Sequence, residues 1–159
     1  DYMNDVQSVL AGAIDEIHRR QRKVLETGKL PEKPYIIALD EAMAIAASIT
    51  ETKVIKQYQS LITQVTLMGR SARVFLFTSA QTFDANSVMN SSSRDQMAFK
   101  VVLSSNPSAN DCRYLFKDFD PSTVVVNRDG FEKGLGLAST QPANRVVPFM
   151  APYIKNLGA

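Results

Sequence analysis

The sequence has no tryptophan, one cysteine and one histidine. A single thiol, Cys112, excludes an internal disulfide, and without partner cysteines or a histidine cluster it cannot complete a zinc site. The composition therefore suits a reducing compartment. Glycine and proline number 7 each in 159 residues, too few for a collagen-like or low-complexity chain. No apolar run approaches the roughly 18 residues of a membrane span, and the N-terminus lacks the basic-then-apolar layout of a signal peptide. Neither sign of charge dominates: 18 basic residues face 16 acidic ones, a net charge of +2. That balance does not create a field that draws nucleic acid by itself, so any DNA contact must be local or built by oligomerisation. With 45% of residues hydrophobic, the chain can bury a real core, and one domain over 1–159 is the expectation. It begins at Asp1, without methionine, and runs at once into a helical pattern, as expected of a piece of a longer protein that is soluble in itself.

From Val6, the residues Val9, Leu10, Ala13, Ile14, Ile17 and Val24 recur at three- and four-residue steps, predicting an amphipathic helix with Gly28 as its cap. Its basic stretch, Arg19, Arg20, Arg22 and Lys23, has two readings: a solvated face tuned to the helix dipole, or a DNA-binding stripe. His18, beside two arginines, reads as a surface residue.

The run Tyr35-Ile36-Ile37-Ala38-Leu39 is continuously apolar and ends in Asp40-Glu41, which predicts a buried parallel strand. A second helix is marked by Val54, Ile55, Tyr58, Leu61, Ile62, Val65 and Met68, with Ser48 and Glu51 at capping-box spacing and an end near Gly69. Val74-Phe75-Leu76-Phe77-Thr78 is another buried strand, followed by Ser79-Ala80-Gln81. Strand, helix, strand in this order is a crossover unit that brings Asp40-Glu41 and Gln81 to one edge of a mostly parallel sheet.

Downstream, Asp84 suits the cap of a short helix, Ser91-Ser92-Ser93 reads as loop, and Met97 to Leu103 returns to strand character. Asn106-Pro107 opens a helix with Leu115 and Phe116 in the core. Short strands at Thr123 to Val126, Gly134 to Ala138 and Arg145 to Phe149, around Asp129-Gly130 and Gln141-Pro142 turns, predict a closing antiparallel ribbon.

A carboxylate pair at the tip of a buried strand is costly unless a cation meets it. In phosphoryl-transfer sites a first acid helps hold magnesium and a following glutamate orients and deprotonates water, roles that Asp40 and Glu41 fit in that order. The competing reading makes Asp40 a simple helix cap. Gln81 can sense a terminal phosphate or the attacking water, or be an ordinary polar strand end. Arg70, at the opposite end of the sheet from Glu41, suits either an arginine finger reaching a neighbouring subunit or a structural ion pair.

The stretch from Leu67 through Gly69-Arg70 to Gln81 resembles the arginine segment, strand and terminal glutamine of FtsK/SpoIIIE DNA translocases. Tyr35 to Glu41 lies where that family has its Walker B strand. Arg94 to Val101 resembles the corresponding segment of the FtsK-like coupling proteins of conjugative elements. Asp111 to Phe116 lies where the family has its next helix, and Lys133-Gly134-Leu135-Gly136 is similar to its Lys-Gly-Arg-Gly turn. The chain departs from the pattern at Thr82-Phe83, where the family has Arg-Pro, and at Leu135.

The resemblance implies an α/β, RecA-like P-loop ATPase core, N-terminally truncated, whose parent uses ATP and Mg2+ to move double- or single-stranded DNA through a hexameric ring. It implies Asp40 on the metal, Asp40, Glu41 and Gln81 at the nucleotide, catalytic roles for Glu41, Gln81 and Arg70, and DNA or subunit contact at Arg94 and Lys100. Further implied partners are components of conjugation or secretion machinery, and the implied place is the cytoplasmic face of a membrane, reached through an N-terminal anchor. No Gly-x-x-x-x-Gly-Lys-Ser/Thr loop occurs in these 159 residues, so the phosphate cradle is expected upstream of Asp1 and the fragment alone is expected to be inactive. Two rivals remain: a type VII secretion ATPase, and an inert P-loop-like domain that binds partners.

Overall fold

Helix α1 spans Tyr2–Thr27 because Val6, Leu10, Ala13, Ile14 and Ile17 form one apolar stripe, and all five are buried. Val9 is not on it; one residue from Leu10 is about 100° round the helix, and Val9 is 50% exposed. Gly28, at φ 68°, ends the helix, its amide donating to the Val24 carbonyl at 2.8 Å. The structure, a computed structural model, describes residues 2–84, 88–124, 134–140 and 145–152. The chain divides into two compact units, Asp1–Gln96 and Met97–Ala159.

In the first unit, strand β1 (Tyr35–Leu39) pairs in parallel with β2 (Val74–Thr78), Tyr35 opposite Val74 and Leu39 opposite Thr78. Two helices lie between them in sequence, α2 (Ala42–Ala47) and α3 (Thr52–Ala72), so the expected crossover unit is present. Tyr58, Ile62 and Val65 bury the inner face of α3, which packs along α1 and against β2. The expectation of strands buried on both faces does not hold here. Ile37, Leu39 and Val74 point into the core, while Ile36 and Phe77 are 64% and 62% exposed. Alternation appears because, among the described residues of this unit, helices pack on one side of the ladder.

The capping box expected at Ser48 and Glu51 is not formed. Glu51 is itself the N-cap of α3, without a side-chain cap bond, and so cannot also occupy the third helical position. Gly69 does not end α3. It lies inside the helix where a Cβ would come within 2.3 Å of the Val74 carbonyl oxygen, so its role is close approach of helix to strand. The helix runs to Ala72 and is capped by Arg73 at φ 53°.

Ser91-Ser92-Ser93, expected as loop, opens helix α4 (Ser91–Gln96). The reason is local: the Asn90 side chain accepts from the Ser93 amide at 2.8 Å, and the Ser93 hydroxyl and Asn90 amide both reach Thr63 Oγ1 on α3. Of the short helix expected from Asp84, residues 85–87 lie outside the described residues.

In the second unit, β3 (Phe99–Leu103), β4 (Leu135–Thr140) and β5 (Arg145–Met150) form an antiparallel sheet in that order. The closing ribbon is therefore present, with β3 beside it. The described residues thus carry one parallel ladder and two antiparallel ones, not the mostly parallel sheet expected. Val102 and Leu137 pack with Cys112 and Phe116 as the core of this unit. Gly136 is required there, since a Cβ would meet the Val102 carbonyl oxygen at 2.1 Å. The helix expected from Asn106-Pro107 begins later: α5 (Ala109–Cys112) is capped by Ser108 in a reciprocal box with Asp111. Thr123, the first residue of an expected strand, instead closes a short 3-10 turn (Pro121–Thr123) that Val124 caps, and residues 125–126 of that strand, Lys133 and both predicted turns lie outside the described residues.

Candidate nucleotide-hydrolysis site

The in-register pairing of β1 and β2 brings their C-terminal ends together. The Ser79 amide donates to the Leu39 carbonyl at 3.1 Å, the Ala42 amide donates to the Ser79 carbonyl at 2.8 Å, and Asp40 and Glu41 lie between. The Ser79 hydroxyl donates to Asp40 Oδ1 in a short bond. The Glu41 amide donates both to Asp40 Oδ1 and to Ser79 Oγ, each at 3.1 Å.

Glu41 occupies the left-handed region, φ 50° and ψ 55°, immediately before α2. A non-glycine residue there is strained. Its own side chain makes no capping bond, and both acids are exposed. Asp40 does not cap α2 either, because Glu41 is the residue at the N-cap position.

The turn can offer oxygen ligands and a base. Asp40 uses Oδ1 for the turn, and among the described residues Oδ2 takes no hydrogen bond. Carboxylate and hydroxyl oxygens are the donors that Mg2+ accepts, usually one or two carboxylates with substrate phosphates and water completing the shell. Among the described residues no group of three or more His, Cys, Asp and Glu side chains could hold a metal alone. The donor set at Asp40 fits a magnesium ion shared with a nucleotide, not a protein-only cage.

Gln81 was expected at the strand end, but β2 stops at Thr78 and Gln81 lies in an exposed bend three residues on. The strand-end side chain that meets Asp40 is Ser79. Sequence reading passed over it because a serine after a strand is common. The available signal was its position relative to Asp40, which acquires meaning only with the strand register.

Arg70 is exposed in the last turn of α3, and α3 leads into the N-terminal end of β2. It is therefore at the opposite end of the ladder from Glu41, as expected. The structure does not bring it to the acidic turn. Arg94 is 9% exposed and its guanidinium donates to the Phe83 carbonyl, tying α4 to the segment that follows Gln81. Lys100 is half-buried on β3, opposite Ser139, in the second unit.

Of the basic stretch on α1, Arg19 is exposed and bonded to Glu16, whereas Arg20 is drawn inward. Arg20 donates to Glu16 at 2.5 Å and to the carbonyls of Lys33, Ala72 and Arg73, and stacks over Tyr35. It closes the N-terminal end of the two-stranded ladder, away from the acids. Hydrogen bonds from Arg19 and then Arg20 hold the Glu16 carboxyl down at about 2. In the second unit, burial, with the neighbouring Asp111 charge, pushes the Cys112 thiol up, which keeps it protonated and inert.

No protein-family model matches the sequence, and no curated protein matches it. Among solved structures, the fold is similar to that of a conjugation coupling protein. That protein is TcpA of pCW3, in its monomer form with ATPγS; the likeness has a TM-score of 0.73 at 15% identity and covers 93% of this chain. The chain spans 44% of the length of the TcpA chain. At that identity the likeness establishes a shared fold. Among the described residues no helix is long and apolar enough to cross a membrane.

Proposed function

We propose that this chain is the Walker B part of a P-loop motor that couples ATP hydrolysis to DNA movement during conjugative transfer. The observation that carries the reading is the Asp40-Glu41 turn at the end of a parallel strand, on a fold similar to that of a coupling protein solved with an ATP analogue. Asp40 would hold the cation through Oδ2, and Glu41 would take the proton of the attacking water. Mg2+, when bound with ATP, neutralises charge on the phosphate oxygens. Gln81, on an exposed bend beyond Ser79, reaches for the terminal phosphate, and Arg70 at the far end of the ladder serves a neighbouring subunit of a ring. The phosphate cradle comes from chain N-terminal to Asp1, as does membrane attachment, and DNA is the cargo.

Glu41→Gln in the intact protein tests the reading. Turnover falls by about 10²–10⁴-fold, the span of a lost general base, while binding of a fluorescent ATP analogue persists because the shape is kept. Unchanged turnover removes Glu41 from the mechanism. An intact sequence without a Gly-rich Lys-Ser/Thr loop before Asp1 overturns the motor reading altogether.

A further inference from the structure

Ser79 is hydrogen-bonded to every residue from Leu39 to Ala42. Its backbone extends the ladder on one side of the acidic turn and receives the first amide of α2 on the other. Its hydroxyl fills the space between, with the single proton given to Asp40 Oδ1 and a lone pair accepting the Glu41 amide. A serine that merely ended a strand would need none of the hydroxyl bonds. Here they act on the two side chains whose orientation the chemistry requires.

The consequence for Asp40 is asymmetry between its two oxygens. Oδ1 is held by a hydroxyl and an amide, so the carboxylate cannot rotate freely, and Oδ2 is the oxygen left for a cation. The consequence for Glu41 is that its left-handed backbone is held from outside, with Ser79 and Asp40 converging on its amide.

Resting on the hydrolytic reading proposed above, we infer that Ser79 is a positioning residue. It fixes Asp40 as a one-oxygen ligand through Oδ2 and holds the Glu41 turn in its working conformation. Partners that orient a metal-binding carboxylate matter to the metal nearly as much as the ligand itself; their loss typically weakens affinity or activity by about 10–100-fold.

The test uses the intact protein with Mn2+ and ATPγS, reading bound Mn2+ by electron paramagnetic resonance, and separately the hydrogen exchange of the Glu41 amide. Ser79→Ala weakens Mn2+ uptake by about tenfold or more and speeds exchange at Glu41, while binding of ATPγS in EDTA stays as in wild type. Ser79→Thr, which keeps the hydroxyl, restores both. Should Ser79→Ala fail to fold, Ser79→Cys, a weaker and longer donor, is read the same way. A wild type that takes up no Mn2+ overturns the motor reading and this inference together. Wild-type uptake with an unchanged alanine variant, or a threonine variant as impaired as alanine, overturns this inference alone.

Discussion

Glu41 carries the conformation that a stability-minded sequence would give to glycine, and this separates its two contributions. At φ 50° and ψ 55° a residue with a Cβ is disfavoured by about 1–2 kcal/mol. Glycine in its place removes that strain but loses roughly 0.5–1 kcal/mol more entropy on folding. The exposed Glu41 side chain makes no capping bond, and its amide bonds to Asp40 and Ser79 belong to the backbone, which the substitution keeps. The net expectation for Glu41→Gly is a gain of between zero and about 1.5 kcal/mol, or up to ~6 °C in Tm for a chain of this size. Glu41→Gln serves as the control, because it removes the same charge beside Asp40 without relieving the backbone. Calorimetry of the wild-type chain and the two variants is the assay, with ATP turnover measured on the same substitutions in the intact protein, where the proposed function places it. Glycine is expected to be more stable than glutamine, and both are expected to be inactive. A glycine variant less stable than the glutamine variant by ~1 kcal/mol or more refutes the claim that the turn is strained. A glycine variant that still hydrolyses ATP refutes the reason given for keeping a glutamate there.

Gly136→Ala drives a methyl to 2.1 Å from the Val102 carbonyl and 2.9 Å from the Phe149 ring, so β4 must move from β3; a loss of about 1–3 kcal/mol in chemical denaturation is expected. Glu16 makes stability acid-sensitive. Its folded value of about 2 lies below its ordinary 4.5, so its contribution is complete above about 4.5 and is lost as pH falls towards 2. With Arg19 exposed and Arg20 and Glu16 only partly so, solvent screening leaves that contribution on the order of 1 kcal/mol. Glu16→Gln should flatten the stability curve across this window, measured by urea unfolding between pH 5 and pH 2.

The extent to which the chain could be read in advance follows the range of the interactions involved. The α1 stripe, the crossover order and the closing ribbon rest on periodicity, a local property, and Asp40-Glu41 at the end of β1 needed only the strand to be recognised. Where a neighbour decides, reading failed. Ser91 to Ser93 became helix because Asn90 caps the Ser93 amide and Thr63 takes the Ser93 hydroxyl. Arg94, next to these serines, donates to the Phe83 carbonyl, a contact that no local pattern announces. Gly69 read as a terminator but serves as a gap that lets α3 approach Val74.

The same division applies to the candidate site. The amino-acid sequence alone determined the acidic pair, its place at a strand end and the kind of oxygen chemistry it can support. Only the tertiary structure decided that Ser79, and not Gln81, is the side chain that meets Asp40. The partner of a strand end depends on the register of a parallel ladder whose strands are separated by two helices. That register is set by Ile37, Leu39 and Val74 packing beneath them, a condition distributed over the core and not written at any one position.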